Sequence, residues 1–162
     1  ISRVEDGEVD PTFTMLQRVV SAAGRQISVE LEAIPKRRSL AALAYAWSET
    51  RSGERIDWTR LRAFLDDLHV HTRDVEAAIA TPPPRSESRL LDNLLAAIAE
   101  KVADDAGLRR PRWCAAVPAL ESPWEPPGTP RMIAAARRNT APQFKQRNIW
   151  LAAHDLWRHR AR

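Results

Sequence analysis

An apolar stripe near the middle of the chain constrains the fold more than any other feature. Five residues repeat at the helical spacing i, i+3, i+4, i+7 and i+11: Leu91, Leu94, Leu95, Ile98 and Val102. Gly107 follows where such a helix would end. Because an apolar stripe has to be covered by other elements, we predict a long amphipathic helix in the core of a mainly α fold.

Other segments have the pattern of helices that could cover this stripe. Apolar residues recur at helical spacing in residues 12–23, 40–47 and 58–68, and shorter helices are predicted at 130–138, 143–146 and 154–160. Asp10 and Pro11 suit the N-cap and first position of the first helix, and Asp57 suits the N-cap of the third. Residues 109–129 are rich in proline, and we interpret their Trp113 and Trp124 as core residues of an ordered, irregular segment.

Residues 25–34 have the pattern of a half-buried strand instead. Ile27, Val29 and Leu31 alternate with polar residues. A single strand leaves its backbone groups unpaired, so it needs a partner strand. Two partners stay open: the short segment 148–152 of the same chain, or the same strand of a second copy. The second alternative would make a homodimer through Ile27, Val29 and Leu31.

Composition excludes several classes of protein. Cys114 is the only cysteine, so an intrachain disulfide and a cysteine-based metal cage are excluded, and a reducing cytoplasm fits. No segment resembles a membrane-spanning helix, and no catalytic triad, metal site or cofactor motif is recognisable. We expect no enzymatic activity, catalytic residue, metal or cofactor, and interpret Cys114 as a small apolar filler. A net charge of +4 is compatible with nucleic acid or with an acidic partner.

The first 24 residues resemble the end of an Xre-type helix-turn-helix domain. Ile1, Ser2, Glu5 and Gly7 match the end of the recognition helix, and Leu16, Val19, Val20, Ala22 and Gly24 match the helix that follows. The resemblance implies that the base-reading part would precede Ile1, so that these residues alone bind operator DNA weakly or not at all. Ser2 and Arg3 would then lie near the DNA backbone, and the adjacent basic residues Lys36, Arg37 and Arg38 would contact phosphates.

Residues 111–113 (PRW), 123–124 (PW) and 141–158 resemble the tail of actinobacterial Xre-type antitoxin-like proteins. That tail carries an F-x-x-R-x-(I/V)-(aromatic) box, here Phe144, Arg147, Ile149 and Trp150. The resemblance implies a cognate toxin as partner, either a PIN-type ribonuclease or a nucleotidyltransferase-like protein. Since Trp and Arg dominate interfaces, we expect toxin contact at Phe144, Arg147, Trp150 and Trp157, with a core role as the alternative.

Together these features predict three parts: a helix-turn-helix remnant (1–24), a pairing strand (25–34) and a compact helical toxin-binding domain (35–162). A sub-boundary could fall at the proline-rich residues 81–88, and one short extra strand at 148–152. The predicted function is that of an antitoxin that also represses its own operon. The alternative is a stand-alone transcriptional regulator whose C-terminal domain senses a ligand or dimerises. An unrecognised enzyme is a third class, but no residue of the sequence indicates a catalytic role.

Overall fold

The apolar stripe at residues 91–102 forms a helix in a computed structural model that describes residues 12–28, 38–50 and 53–157. These residues are mainly helical with one two-stranded antiparallel sheet, which confirms the predicted fold class. The chain divides into an N-terminal unit, Ile1–Ala33, and a C-terminal unit, Ile34–Arg162. None of the described helices is both long and apolar enough to cross a bilayer. In chain order the elements are α1 (Phe13–Ala22), β1 (Trp47–Thr50), β2 (Gly53–Ile56), α2 (Trp58–Val70), α3 (Val75–Ala80), α4 (Arg89–Asp105), α5 (Pro130–Asn139), α6 (Pro142–Lys145) and α7 (Ala153–Leu156).

In the N-terminal unit, helix α1 begins at Phe13, two residues later than an N-cap at Asp10 would place it. The Thr12 hydroxyl accepts a hydrogen bond from the Met15 backbone N–H at 3.3 Å, so Thr12 is the N-cap instead of Asp10. The helix ends as predicted at Gly24, which takes the left-handed φ of 70°. The Arg25 N–H then bonds back to the Val20 carbonyl at 3.0 Å, a Schellman ending.

The predicted strand at 25–34 is only partly visible. Residues 25–28 are described and form no strand, so Ile27 is not in a ladder there. Val29 and Leu31 lie outside the described residues, and the homodimer built on this strand stays a prediction. The proposed partner segment makes single bridges elsewhere, from Ile149 to Trp124 and from Ala152 to Thr140.

The sheet of the C-terminal unit lies where the sequence predicted the end of a helix, and that prediction was wrong. Residues Leu40–Leu43 make only a 3₁₀ turn, and β1 follows. Gly53 has a φ of 106°, which only glycine adopts readily and which allows β2 to return beside β1. The pairing sets Trp47 opposite Ile56, and both pack on the core. On a continuous helix, residues nine positions apart lie on opposite sides, so one of the two would be exposed. In the hairpin, both can pack on the core as a cross-strand pair.

Helix α4 is the centre of that core. Twelve of its 17 residues are buried, and each fully buried Leu or Ile contributes roughly 1.5–3 kcal/mol. The Ser88 hydroxyl caps it by accepting from the Leu91 N–H at 2.8 Å, and Gly107 ends it with a φ of 67°. Helix α3, the 3₁₀ turns at 40–43 and 112–116, and α6 pack around it. One core therefore continues across residues 81–88.

Candidate functional site

The box at residues 144–150 is a tight turn that closes the core. Helix α6 is followed by a turn that ends at Asn148, whose φ of 58° is left-handed. The Ile149 N–H donates to the Phe144 carbonyl and the Asn148 N–H to the Lys145 carbonyl, both at 3.0 Å. This pattern is a Schellman motif, in which the residues at its two ends are commonly apolar and in contact. Phe144 and Ile149 occupy those two positions, and both are buried in the core.

Arg147 lies inside this turn and is the hub of a buried polar network. Its Nη2 donates to Glu100 Oε1 at 2.7 Å and its Nε to Oε2 at 3.3 Å, so the pair is bidentate. The same guanidinium donates to the carbonyls of Cys114 and Val117 at 3.0 and 3.1 Å, and to Asn93 Oδ1 at 3.4 Å. Arg147 is only 6% exposed and Glu100 only 8%. The Arg147 guanidinium therefore makes these hydrogen bonds to partners inside the protein.

This geometry corrects two of the predicted toxin contacts. Phe144 and Arg147 are interior residues because the turn directs both side chains toward α4, so neither presents a surface to a partner. Asn93 and Glu100, which hold Arg147 from α4, were not predicted from the sequence. The sequence does carry a signal for them. They are polar residues seven positions apart, so they lie two turns apart on one side of a helix whose surroundings are apolar.

The other two predicted toxin contacts remain partly exposed. Trp150 is half-buried, and its backbone N–H donates to the Trp124 carbonyl at 2.8 Å. The Trp157 ring meets the Phe144 ring edge-on with centroids 6.0 Å apart, and Lys101 Nζ lies 5.2 Å from the Trp157 ring centroid. A cation over an aromatic face is a stabilising contact. Both tryptophans thus combine a packing role with a surface that a partner can reach.

Two tryptophans interpreted as core residues do pack on the core. Trp113 Nε1 donates to the Ile79 carbonyl at 2.9 Å, and Trp124 stacks on Trp58 with ring centroids 5.9 Å apart.

The predicted DNA-contacting residues are largely beyond the described part of the chain. Ser2, Arg3, Lys36 and Arg37 lie outside it. Arg38 is described, and its guanidinium pairs with the carboxylates of Asp67, at 3.4 Å, and of Asp74. Two acidic partners offset its positive charge, which weakens the case for Arg38 as a phosphate contact.

The pKa values of Cys114 and Asp104, both near α4, are shifted from their ordinary values. Burial raises the pKa of the Cys114 thiol to about 12, so at neutral pH it is protonated and a poor nucleophile. This agrees with its interpretation as a filler. At the end of α4, the hydrogen bond from Arg110 holds the pKa of Asp104 below its usual value, with Gln143 donating to the same carboxylate.

An apolar groove lies on the far side of the turn, between α5 and the segment that runs from Leu151 into α7. It has a volume of about 310 Å³. The base of α2 contributes Trp58 and Arg62 to it. The remaining lining residues are Pro126, Pro127, Gly128, Met132, Ile133, Ala135, Ala136, Leu151, Ala152, His154 and Asp155. We call this set the α5 groove. Its lining has the composition typical of binding pockets, mostly apolar with a few polar groups.

The α5 groove was not predicted from the sequence because its walls come from three separated segments. Met132 and Ile133 belong to a helix that the sequence did predict. The sequence could not show that this helix would bury only Ala136 of its ten residues.

Comparison with protein-family models, curated proteins and solved structures finds no match to this chain. Functional interpretation therefore starts from the geometry described above and from the sequence resemblance.

Proposed function

We propose that the protein is an Xre-type antitoxin, which neutralises a cognate toxin by direct binding and represses its own operon through a helix-turn-helix. The proposal starts from the resemblance of residues 1–24 and of residues 111–113, 123–124 and 141–158 to such proteins. One structural observation supports it most: helix α1 has an apolar face that is not buried.

That face runs the length of the helix. Phe13, Leu16 and Val19 are spaced three residues apart and are 52%, 38% and 42% exposed. Single exposed apolar residues are common on proteins, but a continuous apolar face indicates a surface that packs on something. The helix that follows a recognition helix packs in this way against the rest of its helix-turn-helix domain. The face of α1 is therefore what the proposal requires.

The two functions divide between the two units. The N-terminal unit would carry operator binding, and the C-terminal unit would carry toxin binding. A specific interface of this kind buries on the order of 1,000 Å² or more, which exceeds what Trp150 and Trp157 alone can supply. A PIN-type ribonuclease and a nucleotidyltransferase-like protein remain the two candidate classes of toxin.

The product of the adjacent reading frame supplies the test. Expressed alone, it should stop growth, and co-expression of this protein should restore growth and give a stoichiometric complex. In a protein that carries the complete helix-turn-helix, a double change, Phe13→Ser with Val19→Ser, should abolish repression of an operon reporter while leaving neutralisation intact. If the adjacent product neither inhibits growth nor co-purifies, the antitoxin proposal is wrong.

A second function is favoured by the α5 groove. A groove of about 310 Å³ is of a size to hold a small ligand, as a stand-alone regulator with a sensing domain would need. Native mass spectrometry of the purified protein separates the two functions. A retained small molecule supports the sensor, and a bound protein supports the antitoxin.

A further inference from the structure

The α5 groove continues into an exposed helix surface that has no cover among the described residues. Met132 stands at its edge and is 62% exposed, and Ala136 is the only residue of α5 that is buried. Ten helical residues extend about 15 Å, longer than a drug-sized molecule needs. The surface beside the groove is therefore long enough to lie along nearly three turns of a partner helix.

Two basic side chains of α5 lie beside the Ala135 edge of this surface. Arg131, Ala135 and Arg138 are related by i, i+4 and i+7, so the two arginines stand beside Ala135 at one edge of the groove, outside its lining. Neither arginine has an acidic partner within the described parts of the chain. The third arginine of the helix, Arg137, is different, since it pairs with Glu125 at 3.0 Å.

A further guanidinium lies in the groove itself. Arg62 Nε donates to the Asp155 carbonyl at 2.8 Å, and no other acceptor for this side chain is found among the residues described. Its remaining N–H groups are available for a carboxylate. The one carboxylate of the lining, on Asp155, faces His154 at 3.6 Å. The groove thus has an apolar floor and a predominantly basic rim.

We propose that the α5 groove is the docking site for an amphipathic helix of the partner protein, with apolar residues on one face and carboxylates along its edges. The apolar face fills the space between Trp58 and Ile133. The carboxylates pair with Arg62, Arg131 and Arg138 through charge-assisted hydrogen bonds. These three guanidinium groups have no carboxylate partner among the described residues, so each can bind one from the partner helix. The partner would be the toxin, so this inference deepens the proposed function and rests on it.

Two binding measurements test this and keep the two proposals apart. The first selects displayed helical peptides of random sequence on the wild-type protein, with the double variant Arg131→Glu and Arg138→Glu for counter-selection. The expected peptides carry apolar residues at i, i+3, i+4 and i+7 flanked by Asp or Glu, and they bind the double variant at least about tenfold more weakly. Enriched peptides that are neutral or basic, or that bind the double variant equally well, would overturn the proposal.

The second measurement uses the product of the adjacent reading frame. Its affinity should fall at least about tenfold for the double variant and stay unchanged for a matched control, Arg109→Glu with Arg112→Glu, two exposed arginines outside the groove. If the wild-type protein binds and the double variant binds as tightly, the groove is not the docking site although the antitoxin function stands. If the wild-type protein does not bind, the antitoxin function fails and the peptide selection alone decides the groove.

Two other occupants are distinguishable. A second copy of the chain in the groove would show as a dimer in sedimentation that the double variant dissociates. A small molecule would be retained in native mass spectrometry of the wild-type protein and lost on changing Met132 to Asp. Either result would overturn the proposal that a partner helix occupies the groove.

Discussion

Replacing Arg147 by Met should destabilise the C-terminal unit strongly, although a methionine fills much of the same space. The change removes both hydrogen bonds to Glu100 and leaves a carboxylate that is 8% exposed without a counter-charge. Removing one partner of a buried ion pair costs roughly 3–5 kcal/mol, because the other charge stays desolvated. The carbonyls of Cys114 and Val117 also lose a donor, so the upper half of that range is expected.

The protein offers a matched control on its surface. Arg137 also pairs with a glutamate, Glu125, at 3.0 Å, but its side chain is 57% exposed. An exposed pair contributes about 0–1 kcal/mol, so Arg137→Met should cost little. The two variants make the same substitution in the same kind of pair and differ mainly in burial.

Urea unfolding followed by circular dichroism measures both variants. With a slope of about 2 kcal/mol per M, a loss of 3 kcal/mol or more lowers the midpoint by more than about 1 M. The double variant Glu100→Gln with Arg147→Met should recover part of the loss, since no unpaired charge then remains buried. Equal midpoints for Arg147→Met and Arg137→Met would refute the reasoning, as would a double variant less stable than Arg147→Met alone.

Three further predictions follow from single groups. The thiol of Cys114, with its pKa raised to about 12 by burial, should resist a thiol-specific reagent at about pH 8 in the folded protein and react once urea unfolds it; rapid reaction of the folded protein would contradict its burial. The lowered pKa of Asp104 stabilises the fold above its ordinary value of 3.8, and this stability is lost as the pH falls through the folded pKa, so Asp104→Asn should flatten the decline in urea midpoint between about pH 5 and about pH 2. Trp113→Phe leaves the Ile79 carbonyl without its donor and should cost about 1–3 kcal/mol, whereas Trp150→Phe, at an equally half-buried ring whose indole N–H has no acceptor among the described residues, should cost less in the same urea assay.

The helices of the fold could be predicted where apolar spacing and capping residues agree. Helix α4 has both a five-residue apolar stripe and Gly107 at its end, and its position was confirmed. The hairpin at 47–56 could not be predicted in this way. Its four-residue strands are too short for an alternation to stand out, and pairing Trp47 with Ile56 is a contact between residues nine positions apart that local spacing does not encode.

The candidate site was harder to predict than the fold, because side-chain type does not reveal direction. Arg147 and Trp150 have the composition of an interface, yet the left-handed turn at Asn148 directs Arg147 into the core. The same sequence box is compatible with both roles. Only the presence of Glu100 and Asn93 on α4 decides between them, and their distance along the chain hides the network.

The backbone links the buried network to the α5 groove, so a variant in the network can also change the groove. The strand-like segment around Ile149 bridges to Trp124 just before α5 and, through Ala152, to Thr140 just after it. Helix α5 is therefore held at both ends by the residues that follow Arg147. A variant such as Arg147→Met that weakens partner binding and stability together acts by displacing α5, whereas Arg131→Glu leaves these anchors intact. Loss of binding without loss of stability is thus the signature of direct contact, and it is expected at Arg131 and Arg138 but not at Arg147.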